Sequence, residues 1–438
     1  MPIRLETRSP DFPAAFAAFL AGKREAAMDV AAAVAQIIAD VRARGDAALI
    51  DLSRRFDRVD LERVGLRVSA AQIDAAMAQV PAETLDALAF AHARILSHHA
   101  RQKPRDERYT DAVGVELGHR WTAVDAVGLY VPGGTAAYPS SVLMNAVPAK
   151  VAGVPRLVMT VPAPDGEIAP LVLAAARMAG VDEVYRVGGA QAVAALAYGT
   201  STIAQVDKIV GPGNAYVAAA KRQVFGQVGI DMVAGPSEVL ILADEDANPE
   251  WIAADLLAQA EHDTAAQAIL ITPSPALADR VSAALDDMLK TLPRSAIAAA
   301  SWRDHGAIIL TADLDEGLAL VNRVAPEHLE LHCADPEPLV AGVRHAGAIF
   351  IGAYTPEAIG DYVGGSNHVL PTARSARFSS GLGVLDFMKR TSILKCSAGA
   401  LPMIGPAAVR LATVERLDAH ARSILIRSNG AAHQGASQ

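Results

Sequence analysis

The chain has 438 residues, 52% hydrophobic, 5% aromatic and 20% charged, with 39 basic against 48 acidic side chains and a net charge of −9. That length supports about two to four domains with sizeable cores, and the composition excludes a disordered chain. The acidic balance excludes an electrostatic nucleic-acid footprint, and without an uninterrupted 18-residue apolar run no membrane span is expected.

The N-terminal residues MPIRLETRSPDFPAAFAAFL lack the layout of a signal peptide, so the expected location is the cytoplasm. Residues 12–55 are alanine-rich with helical periodicity interrupted near Gly45, and residues 67–102 have the spacing of amphipathic helices. Arg101–Asp111 is turn-rich and charged. From Val124 onward, short aliphatic runs alternate with alanine-rich helical segments. Strands are expected at Val127–Val131, Leu157–Val161, Glu183–Val187 and Lys208–Val210, with helices over about 168–179, from Ala190, and after Asn214. A second unit of the same type starts at Glu238, with strands at Val239–Leu242, Ala268–Ile271, Ala307–Leu310, Leu329–Leu331 and Ala348–Ile351. This rhythm predicts an α/β protein with parallel sheets. Beyond about residue 380 the alternation stops. Residues 401–424 read as one or two helices broken at Gly405–Pro406, and the small, polar tail Ser428–Gln438 reads as disordered. Cys333 and Cys396 are expected to be buried, reduced thiols, too few for a thiolate zinc site.

Three glycine-bearing loops follow expected strands: Pro132-Gly133-Gly134-Thr135, Gly188-Gly189-Ala190-Gln191 and Gly211-Pro212-Gly213-Asn214. Glycines let a phosphate approach the backbone, and the following helix offers free N–H groups. None fits Gly-x-Gly-x-x-Gly, and such loops are also common as plain turns.

Four polar clusters interrupt the aliphatic sequence. Gln259-Ala-Glu261-His262-Asp263 ends a helix, where Gln259 and His262 share a face. Pro326-Glu327-His328-Leu329-Glu330 lies between a helix and a strand, and the polar glycine loop Gly360–His368 follows a strand. Glu415-Arg416-Leu417-Asp418-Ala419-His420 lies on a C-terminal helix. Taken singly, each fits a solvated turn or helix end. Together they suit metal and proton chemistry. On chemistry alone, His262, Asp361, His368 and His420 are candidate Zn²⁺ ligands. Gln259 is not, because glutamine is a poor zinc ligand. A Glu-His pair suits proton transfer near neutral pH.

The segments GLYVPGGTAAYPSSVLMNAVPAKVAGV, GGAQAVAALAYGT, VGPGNAYVAAAKRQVFGQVGIDMVAGPSEV, AQAEHD, APEHLEL, GDYVGGSNHVLPT and ERLDAHARS resemble histidinol dehydrogenase, over about residues 25–427. The resemblance implies oxidation of L-histidinol to L-histidine through L-histidinaldehyde in two NAD-dependent steps, with Zn²⁺ anchoring the substrate. It implies Gln259, His262, Asp361 and His420 as metal ligands that also hold substrate. Glu327 and His328 match the catalytic pair. Ser237, His368 and Glu415, with His328, match substrate-contacting positions, and Tyr130, Gln191 and Asn214 match NAD-contacting positions. It also implies a homodimer with shared active sites, in which His420 reaches the partner's zinc. The architecture it implies is two incomplete Rossmann-like parallel-sheet domains plus small helical terminal elements. Residues 25–129 with 237–381 form one domain and 130–236 the NAD-binding one. Residues 1–24 with 382–427 form a helical dimerisation region, and 428–438 a disordered tail.

In the implied mechanism His328 is the general base in both oxidations and Glu327 activates water in the second. Two alternatives stand beside it. One is a zinc-dependent NAD dehydrogenase of another small polar alcohol, such as a sulfonated diol. The other is a non-enzymatic ligand-binding α/β protein.

Overall fold

The computed structural model describes residues 2–22, 30–133, 138–233 and 235–434, with side chains through residue 428. Gly134 and Thr135 of the first glycine loop and the last tail residues, 435–438, lie outside the described residues. The chain divides into two compact units, residues 1–102 with 125–387, and residues 103–124 with 388–438.

In chain order the strands are β1 (Ile3–Glu6), β2 (Glu107–Thr110), β3 (Glu116–Ala123), β4 (Ala126–Tyr130), β5 (Arg156–Val161), β6 (Glu183–Arg186), β7 (Lys208–Val210), β8 (Gly229–Ile230), β9 (Glu238–Ala243), β10 (Gln267–Thr272), β11 (Ala307–Leu310), β12 (His328–His332), β13 (Ala348–Ile351) and β14 (Met388–Lys395). The first unit holds two parallel sheets, ordered β6-β5-β4-β7-β8 and β1-β11-β10-β9-β12-β13. In both, the first strand of the run sits inside, two successors extend one way and two the other. That order creates a switch point beside β4 in the smaller sheet and beside β9 in the larger. The aliphatic runs explain the layering, since parallel strands are covered on both faces. β4 and β9 are buried at every residue. In the larger sheet Val239 and Ile241 face a core with helix Pro249–Ala260, whereas Leu240 and Leu242 face one with Phe12 and Phe16.

Residues 2–22, part of the segment that the resemblance groups with the C-terminal helices, include an edge strand of the larger sheet: β1 pairs with β11, from Ile3 opposite Ala307 to Glu6 opposite Leu310. The apolar side of the next helix, Phe12–Ala21, buries Phe12 and Phe16.

The second unit contains an antiparallel sheet, β14-β3-β2, that the sequence pattern did not signal. Its strands carry little buried apolar surface, with β2 exposed throughout and β14 largely so. Helix Leu401–Val414 runs unbroken through Pro406, whereas Gly405–Pro406 had been expected to end it. The break falls at Arg416, whose φ of 58° is left-handed. Helix Asp418–Gln434 follows, so the expected disordered tail is helical as far as Gln434. Both cysteines are free, but Cys396 is exposed and Cys333 only half-buried, not both buried as expected.

Candidate active site

One residue's main chain holds both members of the Glu327–His328 pair. Glu238 opens β9 and His328 opens β12, and parallel pairing brings these strand starts together. The Glu238 N–H donates to Oε2 of Glu327 at 2.8 Å. The Glu238 carbonyl lies 2.9 Å from Nδ1 of His328. A carbonyl can only accept, so Nδ1 carries the proton and Nε2 the lone pair. Nε2 is buried and, among the described residues, has no hydrogen-bond partner. Burial pushes the ring down to about 4, against the pull of the Glu238 bond and aided by the nearby His262 and His368. At neutral pH His328 is therefore an uncharged imidazole with an open lone pair, the form that accepts a proton. The pair sits at the amino ends of its strands, not at the carboxyl ends where open α/β sheets usually bind ligands.

β12 reads His-Leu-Glu-Leu-His, an alternation that normally marks a half-solvated strand. Here all five residues are buried. Leu329 and Leu331 join the aliphatic core. Glu330 and His332 share the opposite face with His328 and meet Asp255 of helix Pro249–Ala260. Burial, followed by the Glu330 charge, pushes Asp255 up to about 7. Glu357, which no sequence pattern nominated, opens helix Glu357–Tyr362. Its N–H donates to Oε1 of Glu330 at 2.7 Å, and its Oε2 lies 3.6 Å from Nδ1 of His328. Complete burial, then the charges of Asp361, Glu330, Glu327 and Asp255, raise Glu357 well above the usual carboxyl range. One signal was available: Glu357 and Asp361 are four residues apart, on one face of a helix.

Gln259 and His262 are in contact, as their spacing suggested, at 3.3 Å. With its amide nitrogen turned to Glu357, Gln259 donates to both carboxyl oxygens at 3.3 Å and faces His262 with its amide oxygen. Burial lowers the basicity of His262 and pushes His368 down to about 4. Asp361 was expected in a loop, but lies in the last turn of helix Glu357–Tyr362. Its carbonyl accepts from Nδ1 of His368 at 3.1 Å, and burial pushes its carboxyl up to about 6. Gln259, His262 and Asp361 thus offer an amide oxygen, an imidazole and a carboxyl group, of which the last two are usual Zn²⁺ ligands. Among the described residues, the group of three His, Cys, Asp or Glu side chains whose ligand atoms lie within 4.8 Å of one another is a different one, Asp255, Glu330 and His332.

Ser237 immediately precedes Glu238, and its carbonyl accepts from Gln267 N–H at 2.9 Å. Glu415 and His420 belong to the second unit. Glu415 ends helix Leu401–Val414 and His420 lies in the first turn of helix Asp418–Gln434, so the two are on successive helices, not on one as expected.

The three other nominated residues gather at the carboxyl ends of the smaller sheet. Tyr130 ends β4, Gln191 lies in the first turn of helix Gly189–Tyr198 after β6, and Asn214 caps helix Ala215–Val224 after β7. Tyr130 and Asn214 thus flank the β4/β7 switch point. The Tyr130 hydroxyl, buried and pushed up to about 12 by that burial, accepts from Gly189 N–H at 3.1 Å. Asn214 Oδ1 accepts from Tyr216 and Val217 N–H at 3.0 and 3.2 Å.

Residues 21–428 match the family model described as histidinol dehydrogenase. The chain is 66% identical to a histidinol dehydrogenase of Brucella suis biovar 1 over 98% of this chain and 100% of that protein. It is 67% identical to one of Nitrobacter winogradskyi, again over 98% and 100%. A crystal structure of histidinol dehydrogenase from Elizabethkingia anophelis superposes with a TM-score of 0.94 at 34% identity, covering 98% of each chain. Buried acid-base groups, the switch-point loops and a match along nearly the whole chain converge on one assignment: this chain belongs to the histidinol dehydrogenase family.

Proposed function

We propose that the protein oxidises L-histidinol to L-histidine through L-histidinaldehyde, consuming two NAD⁺. Family membership supports the reaction class. The observation that carries the chemistry is His328, buried, neutral, held through Nδ1 and open at Nε2.

In the first oxidation, Nε2 of His328 takes the alcohol proton while the carbinol carbon gives its hydride to NAD⁺. In the second, Glu327 draws a proton from water as it adds to the aldehyde, while the His328 imidazolium returns its proton to the carbonyl oxygen, giving the diol and a neutral His328. His328 then deprotonates the resulting diol, and a second hydride leaves to a second NAD⁺. Glu357, beside Nδ1 of His328, favours the imidazolium that forms whenever it is ionised.

Gln259, His262, Asp361 and His420 would hold Zn²⁺, which when bound supplies a fixed anchor for substrate and charge stabilisation for its oxygen. Ser237, His368 and Glu415 are the remaining substrate positions. Tyr130, Gln191 and Asn214 would receive the dinucleotide at the smaller sheet's switch point. We further infer a homodimer in the cytoplasm with active sites shared through His420, and no nucleic-acid partner given the net charge of −9. Among the described residues no helix is long and apolar enough to cross a membrane.

One assay tests this: NADH formed per histidinol consumed, with and without a chelator. A ratio of two, lost on chelation, is expected. A ratio of one, or turnover of a sulfonated diol in preference to histidinol, contradicts it.

A further inference from the structure

A buried ion pair lies directly behind one of the glycine loops. Lys221, on helix Ala215–Val224, pairs with Asp231, just past β8, and their side chains are 3% and 1% exposed. Both also grip the same backbone residue. Lys221 Nζ donates to the Gly211 carbonyl at 3.0 Å, and Gly211 N–H donates to Asp231 Oδ2 at 2.8 Å. The result is a closed ring in which two buried charges satisfy both polar groups of one glycine.

Gly211 is the residue on which the loop turns. Its φ is 113°, and a Cβ there would fall 2.1 Å from the Tyr130 carbonyl oxygen. The loop backbone is thus pressed against the end of β4, whose Tyr130 in turn accepts from Gly189 of the neighbouring loop. The ring, Tyr130 and Gly189 link the ends of β7, β4 and β6 into one frame. A buried ion pair typically adds little net stability over an apolar replacement, because desolvation offsets the attraction. What it supplies here is direction, because two charge-assisted hydrogen bonds fix the plane of the loop's first peptides.

We propose that Lys221 and Asp231 are positioning residues for the dinucleotide, setting the Gly211–Asn214 turn so that Asn214 and the helix N-terminus meet NAD⁺ in a prepared geometry. This rests on the assignment of NAD⁺ to the switch point of the smaller sheet. Neither side chain reaches a reacting atom, so the pair governs dinucleotide affinity and leaves the chemical step alone.

The test is steady-state kinetics and NADH fluorescence titration of the full-length protein carrying Lys221→Met, Asp231→Asn, or both. The double variant leaves no unpaired buried charge, so its melting temperature is expected within a few degrees of the parent. We expect the KM for NAD⁺ and the Kd for NADH to rise at least tenfold, with kcat within threefold and the KM for histidinol within twofold. A double variant that melts like the parent and keeps its NAD⁺ KM within twofold overturns the proposal, because the pair then only packs. Should the double variant not fold, Lys221→Gln combined with Asp231→Asn, which also leaves no unpaired buried charge, carries the comparison, and an NAD⁺ KM raised less than threefold overturns the proposal. Asn214→Ala separates the two layers. If it raises the NAD⁺ KM while the ion-pair variants do not, the positioning role fails and the loop assignment stands. If neither does, the loop assignment itself fails.

Discussion

Nδ1 of His328 donates to the main-chain carbonyl of Glu238, so the nitrogen left to meet substrate is Nε2. His328→Asn removes that nitrogen while leaving a donor near Glu238. Loss of a general base typically costs ~10²–10⁴-fold in rate. That loss is expected for histidinol and for added histidinaldehyde alike, measured as initial NADH formation. Undiminished alcohol oxidation would falsify the role.

Glu327 and His328 are neighbours in sequence but are assigned to different steps. Glu327→Gln keeps an oxygen that can accept from Glu238 N–H, so the local backbone should hold. Oxidation of histidinaldehyde should fall by ~10²-fold or more and that of histidinol by less than ~10-fold. Equal slowing of the two half-reactions contradicts the division.

Asp255 makes stability depend on pH. Its folded value, about 7, lies above the ordinary carboxyl value of an unfolded chain, about 3.9. Between those values the unfolded chain releases the proton while the folded one keeps it, so stability falls as pH rises from about 4 to 7. Asp255→Asn removes this cost. Thermal melts should show a gain from the substitution of about 1–3 kcal/mol at pH 8, and much less at pH 4.5. His328 works in the opposite direction, since its depressed value withdraws stability as pH falls from about 6.5 to 4. A gain for Asp255→Asn that is independent of pH rules out the buried-acid account.

Gly211→Ala places a methyl against the Tyr130 carbonyl at a φ unfavourable to alanine. A destabilisation of about 2 kcal/mol or more is expected in denaturant unfolding. An alanine variant as stable as the parent would mean the loop can relax away from β4.

His420 lies on a helix of the second unit. If active sites are shared across a dimer, mixing inactive His420→Ala with inactive Glu327→Gln should restore measurable activity in the heterodimer. Mixtures as inactive as their parents would place each site within one chain.

Much of the larger pattern was legible in the residues. The runs at Val239–Leu242 and Ala307–Leu310 are strands because continuous aliphatic sequence must be covered on both faces. Gln259 and His262 meet because three residues on a helix end bring side chains together. The antiparallel sheet of β2, β3 and β14 was not legible, since β2 and β14 are exposed and charged and β3 is half-buried on both faces, so none carries a periodic apolar signal. The helix break was misplaced for a related reason. Pro406 was tolerated within a helix, and the left-handed turn fell instead on Arg416, a residue type with no preference for it.

By itself, the sequence determined the alternation of strand and helix, the glycine loops and the identities of the polar clusters, because these follow from local periodicity and side-chain chemistry. Only tertiary structure decided what those polar residues became. The strand His-Leu-Glu-Leu-His looks half-solvated in sequence. Packing Asp255 and Glu357 over its polar face turns it into a buried carboxylate and imidazole row. Burial then makes His328 neutral, and Glu238, 90 residues away, selects which nitrogen is free. Protonation and tautomer depend on desolvation and on partners distant along the chain, so no local pattern encodes them.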